Sequence, residues 1–139
     1  MTNPGWRSAI PPDRLANYYP AWLDNLADDV TIEGSAMDGF VQGAEAVRTV
    51  LVQIRALYDY QEFHFAGPYG DNGWLEEYSA GVRGEPIGNV TLVTRDAAGQ
   101  AQQIVGNYRP RSTLLLLSRL VGKHFADTPY GEHFATSGD

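Results

Sequence analysis

The sequence predicts an α+β domain in which one long helix is followed by an antiparallel sheet. After Gly43, the segment AEAVRTVLVQIRALYDY has apolar residues at helical spacing and a polar opposite side, which predicts an amphipathic helix. Beyond it, apolar and polar residues alternate in four segments separated by turn-forming stretches, which predicts a meandering sheet. The predicted strands span 61–66, 74–83, 87–95 and 102–108.

The segments at the N-terminus are short. Residues 1–11 carry two prolines and little periodicity, so we expect a flexible arm. The stretch DRLANYY (13–19) can form only a short helix, because Pro20 favours the start of a new one.

A second short helix and a strand are predicted before the long helix. PAWLDNL places Trp22, Leu23 and Leu26 on one side of a helix, and Asp28 and Asp29 are predicted to end it. VTIEG then alternates between apolar and polar residues, as a half-buried strand does.

A C-terminal helix is predicted over 112–126, with Ser112 as its N-cap. Its four consecutive leucines cover more than one face. We therefore expect the helix to serve as a lid or as a dimer contact. The chain, 1–139, has the length of a single domain.

The composition excludes several classes of function. A net charge of −7 repels phosphate backbones and anionic membranes, so we expect no nucleic-acid or membrane partner. There is no cysteine, and the three histidines lack ligand spacing, so no metal is expected. Without a secretory leader or a membrane-spanning run, a cytoplasmic location is expected. All cationic side chains except Lys123 are arginine, which suggests a GC-rich bacterial genome.

A resemblance to a known family rests on the order of the elements, on the stretch LADDVTIEG, on the glycine in VQGAEAV and on the DAAG hairpin. Over about 20–108 the chain resembles the NTF2-like superfamily, and within it the SnoaL-like polyketide cyclases and ketosteroid isomerase relatives. The resemblance implies a cone-shaped curved sheet around the long helix, a concave apolar pocket and a homodimer. No cofactor is expected. Because the superfamily includes isomerases, dehydratases, epoxide hydrolases, cyclases and non-catalytic binders, the fold leaves the function open.

The family's catalytic residues carry over only in part. The position of the isomerases' general base falls on Gly34, which cannot move a proton. The position of their protonated, oxyanion-binding aspartic acid falls on Thr91. The first helix, which bears a catalytic tyrosine in the isomerases, is reduced to DRLANYY, where Tyr18 or Tyr19 could stand in. The resemblance thus implies that this chain does not use the ketosteroid isomerases' pair of acids.

Alternation anchored on Thr91 predicts which strand residues line the concave pocket. The predicted walls are Phe63, Phe65, Trp74, Glu76, Tyr78, Ala80, Ile87, Asn89, Thr91, Val93, Ile104, Gly106 and Tyr108. Such aromatic walls with few polar groups suit a bulky, apolar small molecule. The predicted substrate-binding residues are Trp22, Phe63, Phe65, Trp74, Tyr78, Asn89, Thr91 and Tyr108.

Three side chains are candidates for catalysis. Glu76 on an apolar wall would have a raised pKa and could act as an acid or base; a register shift of one residue would instead expose it. Asp38, in the loop before the long helix, could replace the absent base, or be a solvated loop residue. The hydroxyl of Tyr18 could donate to a substrate oxygen, or lie at the edge of the core. Asn89 and Thr91 could hold a ligand carbonyl or form a structural hydrogen bond.

Three functions remain open at this point. The first is a polyketide-tailoring cyclase of antibiotic biosynthesis that folds a linear substrate for ring formation, including intramolecular cycloaddition, without a general base. The second is acid/base chemistry, such as isomerisation, aldol cyclisation, dehydration or epoxide opening, with Glu76 or Asp38 carrying the proton. The third is a non-catalytic protein that binds hydrophobic ligands.

Overall fold

The computed structural model describes residues 10–136, so most of the predicted arm, 1–11, lies outside the described residues. Within this range the α-helices are α1 (Pro12–Leu15), α2 (Ala44–Ala56) and α3 (Arg111–His124). The strands are β1 (Leu26–Gly34), β2 (Val41–Gln42), β3 (Tyr58–Tyr69), β4 (Gly73–Val82), β5 (Glu85–Arg95) and β6 (Ala101–Arg109). None of the helices in the described part of the chain has the length and apolar character needed to cross a membrane.

The six strands form one sheet in the order β2-β1-β6-β5-β4-β3. Strands β3 to β6 form the predicted antiparallel meander, and the predicted α+β class is confirmed. Strand β1 pairs with β6 in parallel, with Ile32 beside Ile104 and Gly34 beside Gly106. This pairing places the first strand inside the sheet, between β2 and β6.

Helix α2 packs across one face of the sheet, which we call the concave face. It begins after Gly43, whose φ of 109° favours glycine, and its buried side chains are Val47, Val50 and Ile54. The predicted helical segment extends further than the helix, because Tyr58 already pairs with Val82 as the first residue of β3. The main core therefore lies between α2 and the concave face.

The second predicted helix, PAWLDNL, is wrong in its extent. Only Ala21–Asp24 is helical, as a single 3₁₀ turn. Leu26 instead begins β1 and pairs with Ala101 of β6. Asp28 and Asp29 therefore lie within β1, at an irregularity of its pairing, and their side chains are exposed instead of ending a helix. Backbone pairing with β6 thus outweighs the local helical pattern.

Helix α3 confirms the predicted C-terminal helix but not its cap. The helix begins at Arg111, so Ser112 lies inside its first turn, and Pro110 occupies the N-cap position without a side-chain hydrogen bond. Leu117 and Val121 are buried, whereas Leu114, Leu115 and Leu116 are half-buried. Ser118 Oγ donates to the Ala36 carbonyl at 2.7 Å, which joins α3 to the loop after β1.

The parallel contact of β1 with β6 leaves no room for a side chain at Gly34. A Cβ atom added there would lie 1.9 Å from the Gly106 carbonyl oxygen. The same addition at Gly106 would meet Asn89 Nδ2 at 3.5 Å, an ordinary contact. The position of the family's general base is therefore closed to any side chain while this strand pairing is kept.

We predict that Gly34→Ala destabilises the protein by about 2 kcal/mol or more, because the strands must separate to admit the methyl group. Gly106→Ala is the matched control and is expected to change the free energy of unfolding by less than about 1 kcal/mol. Urea denaturation of the two variants measures the difference. Equal stabilities would contradict the close approach of β1 and β6.

Candidate functional site

A narrow cavity lies between α2, the 3₁₀ turn and the concave face of the sheet. The volume of the cavity is about 60 Å³, which is room for a few water molecules. A small ligand therefore fits the cavity better than the bulky molecule that we expected. The predicted residues that line it are Trp22, Phe63, Glu76, Tyr78, Asn89, Thr91, Ile104, Gly106 and Tyr108.

The strand alternation anchored on Thr91 placed most of the walls correctly. Glu76 is only 1% exposed and lines the cavity, so the alternative register that would expose it is wrong. Ala80, Ile87 and Val93 are buried on the same strands but do not line the cavity. Trp74 is also absent from the lining, although its indole N–H reaches Glu76.

The prediction that Phe65 lines the pocket is wrong. Phe63 pairs with Tyr78, whereas Phe65 pairs with Glu77, because a β-bulge lies between the two phenylalanines. Cross-strand partners point to the same face of a sheet, so the bulge turns Phe65 onto the outer face with Glu77.

Three hydrogen-bond donors converge on one oxygen of the Glu76 carboxylate. Trp22 Nε1 and Trp74 Nε1 each donate to Oε2 at 3.1 Å. The Tyr18 hydroxyl donates to the same oxygen and accepts from Trp74 Nε1 at 3.0 Å. No described residue donates to Oε1. The carboxylate is thus fixed by one oxygen, and the other keeps its capacity to accept a proton.

Burial decides the protonation of this group. Desolvation raises the pKa of the Glu76 carboxyl above its usual range, although the hydrogen bonds from Tyr18, Trp22 and Trp74 act in the opposite direction. Burial and the hydrogen bond to Glu76 likewise raise the pKa of the Tyr18 hydroxyl, which therefore remains a donor at neutral pH. Glu76 is the only buried charged side chain in the described part of the chain.

The second polar feature of the cavity is an amide with an unused donor. Thr91 Oγ1 donates to Asn89 Oδ1, so the structural hydrogen bond that we considered exists. Asn89 Nδ2 is nevertheless buried, and no described residue accepts from it. An unmet buried donor costs about 1–3 kcal/mol. An acceptor oxygen on a ligand would remove that penalty.

The strand register brings this amide close to Glu76. Glu76 pairs with Thr91, and Tyr78 pairs with Asn89. Directly opposite residues have Cβ atoms about 5 Å apart and diagonal ones about 7–8 Å apart. One small ligand can therefore reach the carboxylate and the amide together.

Three tyrosine hydroxyls form the third polar feature. Tyr58 Oη lies 2.6 Å from Tyr78 Oη and 2.7 Å from Tyr108 Oη, and all three residues line the cavity. The sequence placed Tyr78 and Tyr108 on the wall, but Tyr58 was included in the long helix. We call Tyr58, Tyr78 and Tyr108 the hydroxyl cluster.

Asp38 does not belong to this site. Its side chain is exposed and does not line the cavity. Its backbone N–H donates to the His133 carbonyl at 2.8 Å, and its carbonyl lies 2.9 Å from His133 Nδ1. The structure therefore does not support Asp38 as a replacement for the absent base.

Two further expectations concern the cavity's surroundings. No residue of α3 lines the cavity, so its interpretation as a lid is not supported. Within 10–136, no group of three or more histidine, aspartate or glutamate side chains could hold a metal ion.

The sequence matches no protein-family model and no curated protein. The fold matches a bacterial protein with a cystatin-like fold from Silicibacter pomeroyi DSS-3, with a TM-score of 0.71 at 20% identity over 76% of this chain and 74% of that one. A steroid delta-isomerase from Pseudomonas aeruginosa matches with a TM-score of 0.70 at 20% identity, over 76% of this chain and 77% of that one. A SnoaL-like family protein from Agrobacterium tumefaciens strain C58 matches with a TM-score of 0.50 at 12% identity, over 64% of this chain and 78% of that one.

These similarities establish the architecture of the chain. The protein has the NTF2-like fold, as the sequence resemblance implied. At identities of 20% and below, the likeness shows the fold alone, and the activity must be argued from the site itself.

We predict that the wild-type protein loses stability relative to Glu76→Gln as the pH rises above the ordinary carboxyl pKa of 4.5. In this range the unfolded chain releases the proton of Glu76 while the folded protein retains it, so folding becomes less favourable with pH. Urea denaturation between about pH 4 and pH 8 measures the effect.

Glu77→Gln is the matched control, because Glu77 is the next residue of β4 and forms an exposed ion pair with Arg109 on the outer face. A stability difference between wild type and Glu76→Gln that stays constant or reverses with pH would contradict the raised pKa.

Proposed function

We propose that the protein is an enzyme that moves a proton within a small, apolar carbonyl compound during isomerisation or ring closure, with Glu76 as the proton carrier. The observation that carries this proposal is the buried Glu76 carboxylate on the cavity wall, on the same face as the unpartnered Asn89 amide. A carboxyl with a raised pKa can exchange protons near neutral pH.

The two groups support complementary steps of one reaction. A substrate carbonyl oxygen accepts a hydrogen bond from Asn89 Nδ2, which makes the neighbouring C–H more acidic. Glu76 takes that proton, and the oxygen of the resulting enolate stays bound to the amide. Glu76 then returns the proton to another carbon, or the enolate carbon attacks a second carbonyl, which closes a ring, and Glu76 gives the proton to the new alkoxide oxygen. General base catalysis of this kind contributes roughly 10²- to 10⁴-fold.

The hydrogen bonds on Oε2 hold the proton carrier in position. Trp22, Trp74 and Tyr18 all donate to Oε2, which leaves Oε1 for the substrate proton. We expected Tyr18 to be catalytic, but in this mechanism it is a positioning residue for the Glu76 carboxylate. A fixed carboxylate needs little reorganisation when the substrate binds.

A second candidate function is ring formation by confinement of a polyketide, including intramolecular cycloaddition. Two observations favour it: the cavity is narrow, and no side chain can occupy Gly34, where the related isomerases have a base. In that case Asn89 polarises a carbonyl and Glu76 is structural. This would be a tailoring cyclase of secondary metabolism. A third possibility, binding without catalysis, would leave every ligand chemically unchanged.

The experiment that separates these functions is hydrogen–deuterium exchange at the carbon beside the carbonyl of 1-indanone in D₂O, followed by mass spectrometry. We expect wild type to accelerate the exchange, and Glu76→Gln to reduce this acceleration about 100-fold or more. Glu77→Gln should exchange like wild type, since its side chain lies on the outer face. Exchange that survives Glu76→Gln would contradict proton transfer by Glu76, whereas ring closure of a polyene that survives it would favour confinement.

We also propose that the protein is a homodimer that uses α3. Leu114, Leu115, Leu116 and Leu120 of α3 are only half-buried, an apolar surplus that a second copy could cover. Light scattering at micromolar concentration should give twice the mass of one chain, and Leu116→Glu should lower it. A monomeric mass for the wild type would contradict the dimer.

A further inference from the structure

The cavity adjoins a second space at the end of α2, which we call the outer hollow. The outer hollow has a volume of about 380 Å³, and its described lining residues are Val52, Arg55, Ala56, Tyr58, Tyr60 and Gln61. Arg55, Tyr58 and Gln61 line the cavity as well, so the two spaces adjoin at these three side chains. Val52 and Tyr60 are more than half exposed, which places the outer hollow at the surface. A ligand held in the cavity can therefore extend past Arg55 towards solvent.

Arg55 is the only charged side chain among the described residues that line the outer hollow. No described carboxylate forms an ion pair with it, and no described residue accepts a hydrogen bond from its guanidinium. Arg48, earlier on α2, differs in both respects, because it pairs with Asp24 and donates to the Leu23 carbonyl. The N–H groups of Arg55 are therefore available to a ligand.

The guanidinium of Arg55 is nevertheless held in place by its surroundings. Its Cζ atom lies 5.6 Å from the centroid of the Tyr19 ring, a cation–π contact. Arg55 also lies in the last turn of α2, where the helix dipole favours a cation. Both contacts explain a positive charge at this position, but neither uses the fork of N–H donors in the guanidinium plane. The fork is thus positioned without being occupied.

The positive charge of Arg55 acts inside the cavity. Desolvation raises the pKa of the Glu76 carboxyl, and the charge of Arg55 is among the weaker effects that lower it. Elsewhere the net charge of −7 disfavours the approach of an anion. An anionic group of a ligand would therefore be attracted to the junction of the two spaces, where Arg55 lies.

We propose that Arg55 binds a carboxylate of the ligand, so that the substrate is a small keto acid whose apolar carbonyl end enters the cavity while its carboxylate stays in the outer hollow. The inference rests on the proposed function, because the carbonyl is the group assigned to Asn89. A carboxylate matches the guanidinium fork with two parallel hydrogen bonds. Only the carbonyl end has to fit the small cavity, and the carboxylate keeps part of its hydration.

The test compares straight-chain methyl-ketone acids with their amides, which have the same size but no charge. The acids 4-oxopentanoate, 5-oxohexanoate and 6-oxoheptanoate vary the distance between the ketone and the carboxylate. Titrations followed by the NMR signals of the Arg55 Nε–H and the Asn89 side-chain amide give the affinities and the place of binding. At neutral pH and low salt, we expect wild type to bind the best of these acids roughly 3- to 10-fold more tightly than its amide.

Arg55→Gln removes the charge and should bind this acid and its amide with similar affinity. Its affinity for the amide should equal that of wild type, because the cavity itself is unchanged. Arg111→Gln is the matched control, since it also removes one positive charge from an exposed arginine, but Arg111 lines neither the cavity nor the outer hollow. This control should keep the preference for the acid. Glu76→Gln should keep it too, because the affinities do not require proton transfer.

Three outcomes would overturn the inference: equal affinity of wild type for every acid and its amide, no binding of any acid at millimolar concentration, or a preference for the acid that survives Arg55→Gln. None of them bears on proton transfer, which the exchange experiment with 1-indanone tests separately. Conversely, failure of wild type to accelerate that exchange, with the acid preference intact, would leave the carboxylate site at Arg55 standing.

Discussion

The hydrogen bonding of the Glu76 carboxylate connects the parts of the chain that enclose the cavity. Its Oε2 accepts from Tyr18 and Trp22, which lie before the first strand, and from Trp74 of the sheet. In the described part of the segment before β1, residues 10–25, there is only one short helix and a 3₁₀ turn, so this part has little structure of its own to fix its position. A buried carboxylate is stable only when it is hydrogen-bonded, so burying Glu76 and ordering this segment depend on each other.

Strand register then determines which chemistry the cavity can support. Glu76 and Thr91 lie in one row of the sheet, and Tyr78, Asn89 and Tyr108 lie in the next. The close approach of β1 and β6 excludes a side chain at the position of the relatives' base. In the proposed mechanism the proton carrier is consequently a carboxylate on β4, on the wall that also presents the Asn89 amide.

The sequence predicts the parts of the site that depend on regular alternation. Glu76 and Asn89 face the cavity because β4 and β5 pair without interruption, so a period of two counted from Thr91 is sufficient. Counting by a period of two fails where the strand pairing is irregular, as at the bulge in β3 that turns Phe65 onto the outer face. It did not place Tyr58 on the cavity wall or predict the donors on Glu76, because Tyr58 was included in a helix and the tryptophans were treated as apolar walls. Those contacts join residues far apart in sequence, and local periodicity carries no information about them.

The central claim is that Glu76 exchanges a proton at neutral pH inside an apolar cavity, and the carboxyl infrared band tests it most directly. The difference spectrum between wild type and Glu76→Gln isolates the C=O stretch of this one protonated carboxyl. The raised pKa predicts that the band persists above pH 4.5, where an ordinary glutamic acid is already ionised. A band that disappears at or below pH 4.5 would show a permanently ionised Glu76 at neutral pH and would contradict its role as proton carrier.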